Sequence, residues 1–162
     1  MDHMKELQSK IVAPHAKVSR EVTEADLDRV LEDTETLYEM CFIQNGLYKG
    51  AFAMHHAQID DQDPLNFFVT VEREIIINPV ITRHVNYLTD SKEACMTFPN
   101  NPIIIVPRWH KIEIDCETIM SDPDSEGKFK LTKLHMPLSG KKSFIFQHEI
   151  DHSKAKYIYP IE

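Results

Sequence analysis

Near the C-terminal end, Gln147-His148-Glu149-Ile150-Asp151-His152 carries the spacing His-Glu-x-x-His. On a helix, residues four apart share a face, so His148 and His152 can grip one metal ion from adjacent turns. Glu149 then projects beside that ion, where a carboxylate can take a proton from water. Ser143-Phe144-Ile145-Phe146, just ahead, is apolar enough to be a buried helix and would put the pair in a dry interior. The competing reading is two core or surface histidines that share this spacing by chance, in a chain with nine histidines.

A hydrolytic site needs a third protein ligand and one open position. The frame in which some metalloproteases carry a third His downstream falls here on Ser153 to Ile158, which hold none. Beyond it only Glu162 offers a carboxylate, so the third ligand is expected upstream. Ser91-Lys92-Glu93-Ala94-Cys95-Met96-Thr97-Phe98-Pro99 places Cys95 among small and apolar residues, in a loop between strand candidates. A thiolate is a strong ligand for zinc or ferrous iron. Cys41 falls on a helix stripe and Cys116 ends a strand, so both read as packing residues. On the residues alone Cys95 is the best of three thiols, with an inert buried cysteine as the alternative.

The elements that must hold these groups can be read in outline. Residues 1–25 read as an irregular arm. Asp26 to Cys41 reads as an amphipathic helix, with Leu27, Val30, Leu31, Leu37, Tyr38 and Cys41 at helical spacing. Thr23 and Asp26 form its cap box, and Asn45-Gly46 offers a turn after it. Lys49 to Gln58 reads as a loop. Its adjacent His55-His56 would point to opposite sides of a strand and so favours structural or surface roles over shared metal binding. The Gln58 amide is a donor and acceptor suited to orienting a carbonyl. Asn66 to Val71 and Arg73 to Asn78 read as strands, the second terminated by Pro79, with Ile81 to Leu88 pairing next. Trp109 to Ile114 and Phe129 to Leu134 are strands joined by a polar hairpin loop, Asp115 to Lys128. Pro137 and Gly140 lead into the last helix. The order is that of an α+β fold: antiparallel strands packed around a C-terminal helix bearing His-Glu-x-x-His, with an N-terminal amphipathic helix.

At 162 residues and 42% hydrophobic, the chain suits one domain spanning 1–162. No apolar run is long enough to cross a bilayer, and Met1-Asp2-His3-Met4-Lys5 does not begin a signal peptide. A cytoplasmic location is the default, and three cysteines without framework spacing fit a reducing compartment. A net charge of −8 argues against direct nucleic-acid binding.

Three separated stretches together resemble the motifs of the peptide deformylases. Gln147 to His152 is similar to the family's Gln-His-Glu-x-Asp-His. Glu93-Ala94-Cys95-Met96-Thr97 resembles Glu-Gly-Cys-Leu-Ser, and Ala51-Phe52-Ala53-Met54-His55-His56-Ala57-Gln58 loosely matches Gly-x-Gly-Leu-Ala-Ala-x-Gln. Ile76-Ile77-Asn78-Pro79 and Val106-Pro107-Arg108 are family-like connections. The resemblance implies one divalent metal held by Cys95, His148 and His152, natively Fe2+, with Zn2+, Ni2+ or Co2+ as substitutes. It implies removal of the N-formyl group from formylmethionine at the start of nascent peptides. Glu149 would act as general base and acid, and the Gln58 amide with the Met96 N–H would stabilise the oxyanion. Phe52, Ala53, Glu93, Phe144 and Ile145 would stand on the substrate side, with Glu93 also braced by Arg108. The partners implied are an N-formylated peptide and, transiently, the ribosome, without the C-terminal extension that some bacterial members use there.

The departures are also specific. Ala51 and Ala53 replace two glycines, His55-His56 replaces an Ala pair, and Lys141 stands where an apolar pocket residue is usual. They leave open a deformylase-like paralogue that serves as a binding module. They equally leave open a hydrolase of another N-acyl peptide, for which Lys141 would invite an acidic first side chain.

Overall fold

The computed structural model describes residues 2–44 and 52–161. Two helices come first, α1 (Asp2–Ser9) and α2 (Leu27–Gln44). Strands β1 (Ala53–His55), β2 (Phe67–Thr70), β3 (Ile75–His84), β4 (Leu88–Glu93), β5 (Ile104–Trp109), β6 (Lys111–Ser121) and β7 (Phe129–Ser139) follow, and helix α3 (Gly140–Ser153) comes last. Five strands form one antiparallel sheet in the order β1-β2-β3-β6-β7, while β4 and β5 make a separate antiparallel ribbon. This is an α+β fold with a C-terminal helix.

All four side chains of β2 are buried, because helices cover both faces of the sheet at that strand. Phe67 and Val69 point into a core with Val30, Leu37 and Met40 of α2. Phe68 points the other way, into a core with Ile76, Ile114, Phe146 and Ile150. The alternation is the two-residue period of a strand. Phe146 of α3 meets Phe68 edge to face, with ring centres 5.0 Å apart. Truncating so buried a ring costs about 3–5 kcal/mol, so this contact fixes α3 on the sheet.

Several boundaries differ from the sequence expectations. The first 25 residues are not all irregular, since Asp2–Ser9 is helical with Leu7 as its buried anchor. Pro79 does not end a strand: β3 runs through it, and the segment from Ile81 belongs to the same strand. Pairing with β6 slips between Ile77 and Val80, where Asn78 adopts a positive φ of 50°. A proline is tolerated at such a bulge because no ladder hydrogen bond is asked of it. The Asn78 amide fastens the bulge, bonding both the N–H and the carbonyl of Val22 at 2.9 Å. The first half of the supposed loop from Asp115 is strand, with β6 paired to β7 as far as Ser121↔Phe129. Lys49 to Gln58 is not all loop either, since β1 and a 3-10 turn (His56–Gln58) lie within it. The Asn45-Gly46 turn falls outside the described residues. Ahead of α2, Asp26 Oδ2 accepts the Thr23 N–H at 2.8 Å, which is the carboxylate half of a cap box.

Gly140 makes the passage from β7 to α3 without a connecting loop. Its φ is +61°, which a side chain would resist, and its N–H donates to His110 O at 2.8 Å. The far end of α3 closes with the Lys156 N–H on Asp151 O and the Ala155 N–H on His152 O, at 2.9 and 3.1 Å. That is a Schellman motif built on an alanine with φ 56° rather than a glycine.

Candidate metal centre

Helix α3 presents His148 and His152 on one face, one turn apart, with their Nε2 atoms 3.1 Å from each other. Cys95 arrives from the loop just after β4, with Sγ 3.5 Å from His152 Nε2. The three ligand atoms all lie within 4.8 Å of one another. Tetrahedral zinc with one sulfur and two nitrogens puts its donors about 3.3–3.6 Å apart, so the arrangement fits a first-row divalent ion. Softness agrees, because a thiolate with two imidazoles suits iron and zinc rather than magnesium or calcium.

The groups behind the trio orient it. His148 Nδ1 lies 2.8 Å from Glu93 Oε1, so that nitrogen donates and Nε2 turns its lone pair towards the cluster. Arg108 grips the same carboxylate with Nε at 2.8 Å and Nη2 at 2.7 Å, and reaches Asp151 with Nη1 at 2.7 Å. Burial works to raise the Glu93 carboxyl, but Arg108 and His148 outweigh it and hold the group at about 2. Burial likewise works against charge on His148, yet Cys95 and Glu93 pull it up to about 10. Cys95 and Glu93 thus favour a positive charge at His148, carried by a proton on Nε2 that a metal ion held there would replace. Burial, and then His148, holds His152 well below the ordinary histidine range, which keeps it a neutral lone-pair donor. Gln147 clamps α3 to the end of β5, accepting the Trp109 N–H at 3.0 Å and donating to the Trp109 carbonyl at 2.7 Å.

Glu149 sits beside the donors and is buried, with Oε2 lacking any hydrogen-bond partner among the described residues. Burial pushes its carboxyl up to about 7. A carboxyl poised there can both take and return a proton near neutral pH. The Gln58 amide is locked: Oε1 accepts the His55 N–H at 2.8 Å, leaving Nε2 to face Thr97 Oγ1 at 3.2 Å and Cys95 Sγ at 3.8 Å. Its donor end therefore aims at the cluster. A cleft of about 410 Å³ opens alongside, lined by Phe52, Ala53, Met96, Phe144, Ile145 and Lys141 among others. Glu93 also borders it, although its carboxylate is occupied by Arg108 and His148.

The family model for polypeptide deformylase matches residues 4–160. The chain belongs to the polypeptide deformylase family. No curated protein sequence matches it. Among solved structures, the peptide deformylase of Thermotoga maritima is 20% identical, with a TM-score of 0.68 over 88% of this chain and 86% of that one. The deformylase of the Vibrio parahaemolyticus bacteriophage VP16T is 22% identical, TM-score 0.67, over 91% and 98%. Arabidopsis thaliana peptide deformylase 1B is 18% identical, TM-score 0.70, over 91% and 77%. These likenesses are of fold. The deformylases are metal-dependent hydrolases that remove N-formyl groups, and this chain is one of them by family.

Within the deformylase fold, the altered first motif is accommodated. Ala53 is not among the residues with positive φ, so the backbone conformation there does not require glycine; Ala51 falls outside the described residues. His55 and His56 are both fully buried. His55 Nδ1 accepts the Ala57 N–H at 3.0 Å, while His56 bonds Asp33 Oδ2 at 2.7 Å and the Leu65 N–H at 2.8 Å. Neither imidazole joins the group formed by Cys95, His148 and His152. Sequence reasoning did not single out Asp151, Thr97 or Gln147 for a role. All three lie inside the quoted motifs, and that was the signal available.

Proposed function

We propose that the protein removes the formyl group from the N-terminal formylmethionine of nascent peptides, using Cys95, His148 and His152 to hold a divalent metal, Fe2+ in the native state. The observation that carries this reading is the convergence of a thiol and two imidazoles on one point, flanked by a buried carboxyl and a locked amide donor. Held by these three residues, a divalent ion would supply the Lewis acidity that makes water and the formyl group reactive near neutral pH.

The chain's own groups do the rest. Glu149 takes a proton from the attacking water and delivers it to the departing amine, the two transfers that amide hydrolysis requires. Gln58 Nε2, with the Met96 backbone N–H, stabilises the oxygen that gains charge as the formyl carbon becomes tetrahedral. Phe52, Ala53, Phe144 and Ile145 take the first side chain against their apolar surfaces and keep bulk water from the reacting carbon. Glu93 and Arg108 hold His148 in the tautomer that points its lone pair inwards.

The two apolar cores on either face of one sheet support reading the chain as a single domain. Three free cysteines fit a reducing cytoplasm, where formylated chains leave the ribosome.

The test is formyl release from formyl-Met-Ala by anaerobically prepared, iron-loaded protein, with Glu149→Ala as the blank. Wild-type turnover with at least about a hundredfold loss in the variant, at equal metal content, is the expected result. Full metal occupancy with no turnover would sink the proposal.

A further inference from the structure

The cleft is apolar along one wall and cationic at one end. Phe144 and Ile145 lie on α3 one turn ahead of His148. Lys141 lies two turns ahead on the same face, roughly 10 Å along the axis. All four side chains border the cleft. Lys141 Nζ sits 3.6 Å from the centre of the Phe52 ring, which also borders it. The π face of that ring holds the ammonium at the cleft without neutralising it.

The neighbouring lysine is a useful contrast. Lys142 Nζ meets Glu74 at 3.0 Å and Glu72 at 3.4 Å. Among the described residues no carboxylate pairs with Lys141. A lysine in the first turn also opposes the helix dipole, and no acid in that turn offsets it. The Lys141 side chain is exposed, so packing does not dictate its identity. Its charge serves neither the helix nor the core, and it faces the space a substrate would fill.

We infer that Lys141 is a specificity determinant that receives a carboxylate at the tip of the substrate's first side chain. This rests on the deformylase reading, which sets the formyl carbon beside the metal donors and sends that side chain along the α3 wall. A glutamate side chain reaches about 6 Å from the reacting carbon. Its methylenes lie on Phe144 and Ile145 while its carboxylate meets the ammonium held by Phe52. A methionine finds the same wall, but its end rests against a cation that must shed water to receive it.

The experiment uses the full-length, metal-loaded protein as wild type, Lys141→Met and Lys141→Arg. The substrates are the amidated peptides formyl-Glu-Ala, formyl-Met-Ala and formyl-Met-Glu. Lys141→Met is expected to lower the formyl-Glu to formyl-Met ratio of kcat/KM roughly tenfold, through KM, the size of one modest ion pair. Lys141→Arg should restore the ratio, and high salt should shrink the difference. An unchanged ratio in Lys141→Met overturns the inference. So does a loss confined to formyl-Met-Glu, which would assign the charge to the second residue. If no formyl peptide is turned over, the deformylase reading has failed. The inference is then decided by calorimetric titration of the same peptides into metal-loaded Glu149→Ala protein, with and without Lys141→Met. A tenfold fall in relative affinity for formyl-Glu supports it, while equal affinities or no binding overturns it.

Discussion

Glu93 Oε1 lies 2.8 Å from His148 Nδ1, and the same oxygen takes an Arg108 N–H at 2.7 Å. One carboxylate thus sets the tautomer of a proposed metal ligand while neutralising a buried guanidinium. Glu93→Gln keeps the shape and removes the charge. Metal affinity is expected to fall about 10- to 100-fold, as losses behind a ligating imidazole generally do. Competition with a chelator measures this directly, and unchanged affinity would take Glu93 out of the orienting role.

Gln58 separates two functions within one side chain. Its Oε1 accepts the His55 N–H, and its Nε2 faces Cys95 Sγ. Gln58→Glu retains the acceptor and loses the donors, so the fold should survive. The expected loss in kcat is roughly a hundredfold or more, with little change in KM. Steady-state kinetics beside a thermal melt read both effects.

His55 should shape acid stability. Burial, followed by the charge of His56, holds it down at about 3. The unfolded chain takes up that proton near pH 6.5. Between these values the unfolded state carries a proton that the folded state lacks. This contribution to stability is therefore full above about pH 6.5 and is lost as the pH falls towards 3, by at most about 1.4 kcal/mol per unit. His55→Asn leaves an acceptor for the Ala57 N–H and cannot titrate. Urea unfolding between about pH 5 and 7 should show a shallower slope in the variant, and identical slopes would clear His55 of the effect.

Ala155 pays a local conformational penalty at the end of α3, with φ at 56°. Ala155→Gly should stabilise the protein by about 1 kcal/mol and raise Tm by roughly 2–4 °C. No change in calorimetry would mean that the left-handed geometry is not maintained in solution.

The C-terminal helix, with His148 and His152 one turn apart, was legible in the sequence because their spacing is helical. Cys95 was singled out by the search for a third ligand, and the structure brings it to 3.5 Å from His152. Other parts were hidden for physical reasons. The outer half of β6–β7 is solvated, so Glu117 to Ser121 lacks the alternation of a half-buried strand and reads as loop. Pro79 looks like a terminator because the bulge that accommodates it depends on Val22, far away in sequence. Two adjacent histidines gave no sign that both would be buried, since their partners, Asp33 and the backbone of Ala57 and Leu65, are assembled by the fold. Asp151 looks like an ordinary helical surface acid until Arg108 is brought across from β5.

That last ion pair bears on the rigidity of the proposed metal site. Arg108 bonds Glu93 on β4 and Asp151 on α3, so ion pairs bolt the ribbon to the helix in addition to the Gln147 clamp on Trp109. Cys95 and His152, 57 positions apart in the chain, are brought face to face beside that bolt, 3.5 Å apart. Many small metallo-domains fold only around their ion. A trio held by these ion pairs is expected to keep its shape independently of any ion, so exchange of one proposed metal for another becomes a matter of diffusion and competition rather than of refolding.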